Sequence, residues 1–297
     1  MRAMDTDGLK CLGLPGWGPW RLGDDLLLRT SRRERPLATL AQAQEVFDVY
    51  RAARLAGAPT PDALEIVKVA DGYGVIVEYV TGLGLGTHFV FGSFSIDEIG
   101  CAVGELTRTL HTATIDSGID WAAKFACLAY EIAPLFPNQL GARLVSLVNK
   151  MPASDTLLHG DLHMGNIVVC DGKLCIIDME TVGFGHPAFD LAIMHSVLMN
   201  ASNYLPQQIH LPPDRCKQMA KHLWNTILRS YFEDADPLYI AQIDKRLMIL
   251  SEVYTLGYSL DIKAKKSESL SESQKERLAT SIRLMQELLP QLDRLDF

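Results

Sequence analysis

His159-Gly160-Asp161-Leu162-His163-Met164-Gly165-Asn166 runs into the apolar stretch Ile167-Val168-Val169-Cys170, the turn Asp171-Gly172, and a second apolar stretch ending in Ile176-Ile177-Asp178. Two β-prone runs joined by Asp-Gly read as a hairpin. Polar groups stand at both of its ends: a carboxylate and an amide before it, a carboxylate after it. Upstream, helical periodicity dominates from Ser95, which with Glu98 forms a capping-box pattern, and Ile99, Val103, Leu106 and Leu110 then share one helical face. Earlier still, the first eighty residues alternate strands with turns. Leu26-Leu27-Leu28-Arg29 follows a Gly-Asp-Asp turn, and Ala41 to Ala56 is rich in helix formers and is stopped by Gly-Ala-Pro-Thr-Pro at 57–61. Leu64–Val69 and Gly74–Val80 flank the hairpin turn Ala-Asp-Gly-Tyr. Gly82, Gly84 and Gly86 then make a flexible stretch, and SESLSES at 267–273 reads as a loop before the last helix. The expected architecture is α+β: a small β-rich lobe over 1–80 and a larger helical lobe over 81–297.

Composition narrows the function classes. The 297 residues are 48% hydrophobic and 22% charged, which is globular composition and excludes disorder, collagen and coiled coil. A net charge of −8 argues against a nucleic-acid partner held by phosphate contacts. No apolar run reaches the roughly 18 residues that span a bilayer, and the acid-containing start MRAMDTDGLK lacks the apolar core of a signal peptide. Six cysteines without a C-x-x-C pair are expected to be reduced thiols in a cytoplasmic protein. Cys170 and Cys175, which straddle the Asp-Gly turn, read as half-buried strand residues rather than as a disulfide or metal pair.

The polar ends of the hairpin suit phosphoryl transfer. The first matches the kinase catalytic-loop pattern H-x-D-L-x-x-x-N, and the second sets a carboxylate at the end of a buried strand. That chemistry asks for a carboxylate beside the attacking hydroxyl, and for an amide oxygen and a second carboxylate to hold magnesium against nucleotide phosphates. Asp161, Asn166 and Asp178 fit those three roles. Read singly, they are turn residues and a strand end, but that reading leaves their arrangement after a β-rich lobe and a helical segment unexplained. HGDLHMGN, IIDME and GHPAFDLA, over residues 159–192, resemble the aminoglycoside phosphotransferase and choline kinase-like family, and GVIVEYVTG at 74–82 is similar to its last N-lobe strand and hinge. The resemblance implies a two-lobed protein-kinase-like fold and a small-molecule kinase using Mg2+ with ATP or GTP. It also implies an adenine held by the Glu78 carbonyl and the Val80 amide, and an Asp190 that braces the catalytic loop. Asp190 read locally is a helix-start aspartate.

The departures from that pattern carry information too. Arg29 stands where a phosphate-binding lysine is usual, and in the resemblance Glu45 is its helix partner; read locally, Arg29 is a surface residue at a strand end. Gly13, Gly16 and Gly18, with Trp17 and Pro19, are a poorly spaced glycine loop. Gly160 replaces the arginine that reads phosphorylation in protein kinases, and eleven residues between Asp178 and Asp190 leave no room for a peptide-docking segment, so no protein substrate is expected. His159, His163 and His186 read as loop or core histidines. Glu180 faces either the site or solvent. The expected partner is a small hydroxylated acceptor, with no nucleic acid and no membrane. From residue 81 onward there are 25 acids against 18 bases, which suits either a cationic acceptor or a solvated acidic surface. Tyr204, Trp224, Tyr231, Phe232, Tyr254 and Tyr258 suit either a cation pocket or a core. The acceptor stays open among aminoglycoside-like, choline-like and homoserine-like alcohols. A nucleotide-binding pseudokinase serving as an interaction module is the alternative from another class.

Overall fold

A computed structural model of the chain describes residues 1–12, 19–32, 35–91, 94–209, 212–233, 235–259 and 271–297. The glycine loop of the sequence reading (13–18), and the polar run up to residue 270, lie outside the described residues. The N-terminal part comprises β1 (Lys10–Cys11), β2 (Trp20–Leu22), β3 (Leu26–Arg29), a short ribbon of β4 (Ser31–Arg32) and β5 (Arg35–Pro36), α1 (Leu40–Leu55), β6 (Ala63–Val69) and β7 (Gly72–Glu78). Its five-stranded antiparallel sheet has the order β1-β2-β3-β7-β6. Strand alternation divides the apolar residues between two faces. Leu28, Val67 and Ile76 form a small outer cluster with Trp20 and Leu22, whereas Ala63, Val75 and Val77 join Ala43, Val46, Tyr50 and Ala53 of α1 in the main core. Thr39 caps α1 through a reciprocal bond pair with Gln42, worth about 1 kcal/mol.

The C-terminal part begins with β8 (Leu83–Gly84), α2 (Leu85–Phe91) and α3 (Ile96–Leu110). β9 (Ile119–Asp120), α4 (Trp121–Ile132), α5 (Leu140–Val148), β10 (Leu157–Leu158), β11 (Ile167–Cys170), β12 (Lys173–Ile176) and β13 (Gly183–Phe184) follow. The chain closes with α6 (Ala188–Ile209), α7 (Pro213–Phe232), α8 (Pro237–Ser259) and α9 (Glu272–Leu288). Ser95 and Glu98 make both bonds of the expected capping box at the start of α3. α3 packs on α7, and α6 on α7 and α8. Trp121, Phe125 and Phe189 are fully buried between α4 and α6. Ser271 caps α9, so the last helix starts inside the stretch read as a loop.

One expectation changes sign. Gly82, Gly84 and Gly86 are not a flexible linker: β8 pairs antiparallel with β11, Leu83 opposite Val169 and Gly84 opposite Val168. Gly82 lies so close to this strand that a Cβ would overlap the Val169 carbonyl oxygen. Glycine serves here for close backbone approach, and it ties the segment after β7 to the hairpin. All six cysteines are free thiols. Among the described residues, no helix is long and apolar enough to cross a membrane.

Candidate active site

The hairpin does the positioning. β11 and β12 pair in register from Ile167 with Ile176 to Cys170 with Lys173, and beyond the last pair the Ile177 amide donates to the Asn166 carbonyl at 2.9 Å. Residues 166 and 178, twelve apart in sequence, are thereby held at one end of one ribbon. Asn166 donates its side-chain amide to the Asp161 carbonyl at 2.9 Å and approaches the Asp161 carboxylate at 3.5 Å. Both contacts use Nδ2, which leaves the amide oxygen of Asn166 as an acceptor. Asp178 follows the strand by two residues rather than ending it. It sits in the left-handed region, with φ 65° and ψ 58°, a strained conformation for a non-glycine residue.

The loop from His159 to Asn166 is pinned from below. Asp190, fully buried in the first turn of α6, accepts from the His159 amide at 2.8 Å and the Gly160 amide at 2.7 Å. His111 Nε2, at the end of α3, reaches the same carboxylate at 3.3 Å, while its Nδ1 meets the Tyr231 hydroxyl at 2.8 Å. Both local and family readings of Asp190 are therefore met by one side chain. His159 Nδ1 accepts from the Asp161 amide and Nε2 donates to the Ile177 carbonyl, which fixes the Nε2–H tautomer and makes His159 a loop fastener. Gly160 has φ 76°, and a Cβ there would overlap the Trp121 indole and the Thr181 carbonyl oxygen. The glycine is thus required by packing, a reason invisible in the motif. His186 is structural as well: its Nδ1 accepts from the Ala188 amide, and its ring stands edge-on to Phe297.

Arg29 is the site residue whose partners differ most from expectation. The family resemblance implies Glu45 as its partner, but Glu45 lies on the exposed face of α1. The guanidinium, 8% exposed, instead reaches across to the helical part, bonding Asp178 Oδ1 at 2.7 Å and the Glu180 carboxylate. Glu180 thereby turns inward. Burial opposes the charge on Arg29, but the nearby Tyr50, Asp178 and Glu180 outweigh it and keep the guanidinium firmly protonated. Tyr50, five residues beyond Glu45 and on a different face, takes the inward position on α1. Burial pushes its hydroxyl up to about 12. The arginine fork suits this arrangement, because its rigid planar geometry presents one terminal nitrogen to each carboxylate.

Glu78 and Val80 border a recess of about 730 Å³ with Thr60, Tyr79, Leu174 and Cys175. Leu26 pairs with Glu78 and Arg29 with Val75, so three residues of β3, roughly 10 Å, separate this segment from the Arg29 cluster. Glu78 uses its side chain to accept from the Asp62 amide. Asp161 and Asp178 have side chains 37% and 43% exposed, open enough to meet a bound molecule. Among the described residues no group of three or more His, Cys, Asp or Glu side chains forms a metal cluster. The donors near the hairpin are instead one amide oxygen and one carboxylate, hard oxygen ligands of the kind magnesium takes when phosphates and waters complete its shell. His163 was read as a loop histidine. Its Nδ1 accepts from the Gly165 amide, its Nε2 lies 3.8 Å from Asp161 Oδ1, and burial holds its pKa below the ordinary histidine range.

The negative excess of the second part is mostly solvated: Glu272, Glu276, Glu287 and Asp293 are exposed, and Glu268 lies outside the described residues. Of the aromatic residues, Trp224 and Tyr231 are buried in the core, Phe232 and Tyr254 pack against it, and Tyr258 is exposed. The side chain of Tyr204 lies outside the described residues.

Comparison with known proteins agrees with this geometry. A choline/ethanolamine kinase family protein from Mesorhizobium loti superposes with a TM-score of 0.58 at 18% identity, over 94% of this chain and 88% of its own. Amicoumacin kinase hAmiN, in complex with AMP-PNP, Ca2+ and amicoumacin, gives 0.56 at 15% identity, over 94% and 84%. Aminoglycoside phosphotransferase APH(3'')-Id from Streptomyces rimosus gives 0.53 at 17% identity, over 84% and 93%. These likenesses establish a kinase-like α+β fold. No curated protein sequence matches. The model of the phosphotransferase enzyme family (APH) matches residues 15–211, about two thirds of the sequence, and the chain belongs to that family.

Proposed function

We propose that this protein transfers the γ-phosphoryl group of a nucleoside triphosphate to a hydroxyl of a small molecule. Residues 1–80 would bind the nucleotide, and residues 81–297 would supply the catalytic loop and the acceptor site. The observation that carries the reading is the juxtaposition of Asp161 and Asn166, whose side-chain amide donates to the Asp161 carbonyl at 2.9 Å and lies 3.5 Å from its carboxylate, with Asp178 brought to the same end of the hairpin. In the transfer, a bond forms between the acceptor oxygen and the γ-phosphorus, and the bond from that phosphorus to the β–γ bridging oxygen breaks. Asp161 orients the hydroxyl and takes its proton, and the nucleoside diphosphate leaves. Magnesium, held by the Asn166 amide oxygen and Asp178, would neutralise charge on the phosphates. Arg29 stands beside that carboxylate as a fixed cation for the same phosphates, held in place by Glu180. The Glu78 carbonyl and the Val80 amide are assigned to the nucleotide base, and the structures of similar fold bound to adenine nucleotides favour ATP over GTP.

The test uses two variants. Asp161→Asn is expected to bind Mg-nucleotide normally and lose at least a hundredfold in turnover, whereas Asp178→Ala loses magnesium-dependent nucleotide binding. Mass spectrometry of an acceptor panel with ATP or GTP reads the phosphoryl gain directly. Equal turnover in Asp161→Asn and wild type would remove Asp161 from the mechanism.

A further inference from the structure

A small cavity opens against the catalytic loop. Its volume is about 170 Å³, and its walls are Val103 of α3, Met194, Val197 and Leu198 of α6, and Leu223 and Ile227 of α7. The fourth side is formed by Gly86 and by loop residues 163–165. Among the described residues, no carboxylate, lysine or arginine lines it. The polar side chain in the wall is His163, whose Nδ1 is already bonded to the Gly165 amide and whose Nε2 stands 3.8 Å from Asp161. The cavity therefore shares one residue with the proposed base, and the hydrogen-bonding edge of that residue points toward Asp161 rather than away from it.

The chemistry of such a cavity is restrictive. Bringing an ammonium group into it without a counter-charge costs several kcal/mol. An apolar cavity of roughly 150 Å³ admits a benzene ring, so 170 Å³ accommodates a ring or branched alkyl group of about that size. A group seated there packs against His163, whose Nε2 stands 3.8 Å from the Asp161 carboxylate, so a side arm that carries the hydroxyl past that ring meets the proposed base.

We infer that the acceptor is a hydroxylated molecule carrying a compact apolar group, aromatic or branched aliphatic, which this cavity between α3, α6 and α7 takes up while the hydroxyl faces Asp161. The inference rests on the phosphotransferase reading and adds the substrate class to it. The exposed acids of α9 then serve solubility rather than recognition of a cation. The bonds made and broken are those of the transfer above, with the acceptor alcohol as the oxygen nucleophile.

The experiment measures kcat/KM with Mg-nucleotide for ethanol, 3-methylbutanol, 2-phenylethanol and 2-(1-naphthyl)ethanol, beside an aminoglycoside. Specificity is expected to rise with apolar size by about fourfold per methylene buried, to peak at 2-phenylethanol and to fall at the naphthyl compound. Val197, half-buried on α6, supplies the structural check: Val197→Phe moves the optimum to 3-methylbutanol, and Val197→Ala moves it to the naphthyl compound. The smaller substitution keeps the check usable if the larger one disturbs folding. A flat series, a preference for the aminoglycoside, or an optimum indifferent to both Val197 variants overturns the inference, while Asp161-dependent nucleotide turnover leaves the phosphotransferase reading standing. Absence of any Asp161-dependent turnover, with every acceptor and with water, ends both.

Discussion

Replacing Asp190 by asparagine tests whether the catalytic loop is held from below by one buried carboxylate. In the folded protein this side chain, fully excluded from water, accepts from the amides of His159 and Gly160 at 2.8 and 2.7 Å and from His111 at 3.3 Å. Asparagine keeps the shape but offers one oxygen. Its amide nitrogen must then face a main-chain N–H, leaving two donors opposed and one buried donor unsatisfied. A hydrogen bond to a charged acceptor is worth about 1.5–3 kcal/mol, and an orphaned buried donor costs about 1–3 kcal/mol. The expected loss is about 3 kcal/mol, read as a lower urea midpoint at constant m-value. Function should fail more steeply than stability, because a loop displaced by about 1 Å costs about a hundredfold in kcat. Binding of the nucleotide base, assigned above to Glu78 and Val80, should change less than kcat. An Asp190→Asn protein with an unchanged midpoint and kcat within threefold of wild type would show that the loop is held by something else.

Gly160→Ala is expected to cost 3 kcal/mol or more, because φ 76° disfavours a side chain and the new methyl overlaps Trp121; Gly172→Ala, with φ 73° but open space around it, should cost only about 1 kcal/mol. Similar urea midpoints for the two variants would refute the packing argument. The Arg29 fork predicts coupling between β3 and the segment after the hairpin: Arg29→Lys and Glu180→Gln should be non-additive by 1 kcal/mol or more in a double-mutant cycle, and additivity within 0.3 kcal/mol would mean that the pair does not act as a unit. His195, bonded to Ser251 at 2.8 Å, is pushed down to about 4 by burial, with Arg277 adding to the effect. The unfolded chain therefore takes up this proton first, near pH 6.5, so the stabilisation is complete above that pH and is lost as pH falls toward 4. The loss between pH 7 and pH 5 is about 2 kcal/mol. Urea titrations of wild type and His195→Gln at both pH values measure it, and equal pH dependence in the two proteins would exclude His195 as its source.

Much of the fold was legible because its signals are local. Ser95 with Glu98, Gly57 after a helix-forming run, and Asp171-Gly172 between two apolar strands each act within a few residues, where capping and turn chemistry operate. The order of strands and helices follows from those signals. The placement of Asn166 and Asp178 was legible for the same reason: a four-residue ladder lies between them, and a hairpin constrains what stands at its ends.

What the sequence hid depends on contacts between distant residues. The family resemblance implies Glu45 as the partner of Arg29, yet the partners are Asp178 and Glu180, the latter 151 residues away, because the arginine fork turns toward the segment after the hairpin and Tyr50 occupies the inward face of the helix. Gly82 and Gly86 looked like slack until β8 paired with β11, and the need for glycine at 160 arises from a tryptophan 39 residues earlier. Read locally, Asp190 showed only its place in the first turn of a helix, and the bracing role came from the family resemblance; that its two oxygens reach the amides of His159 and Gly160 follows from how α6 packs under the loop. The sequence by itself determined which groups are present for phosphoryl transfer and the order of the elements that carry them, since those are properties of short segments. Tertiary structure alone decided which carboxylate holds which cation, and that the space beside the proposed base is apolar, because a cavity is bounded by side chains from several helices and exists only once they have packed.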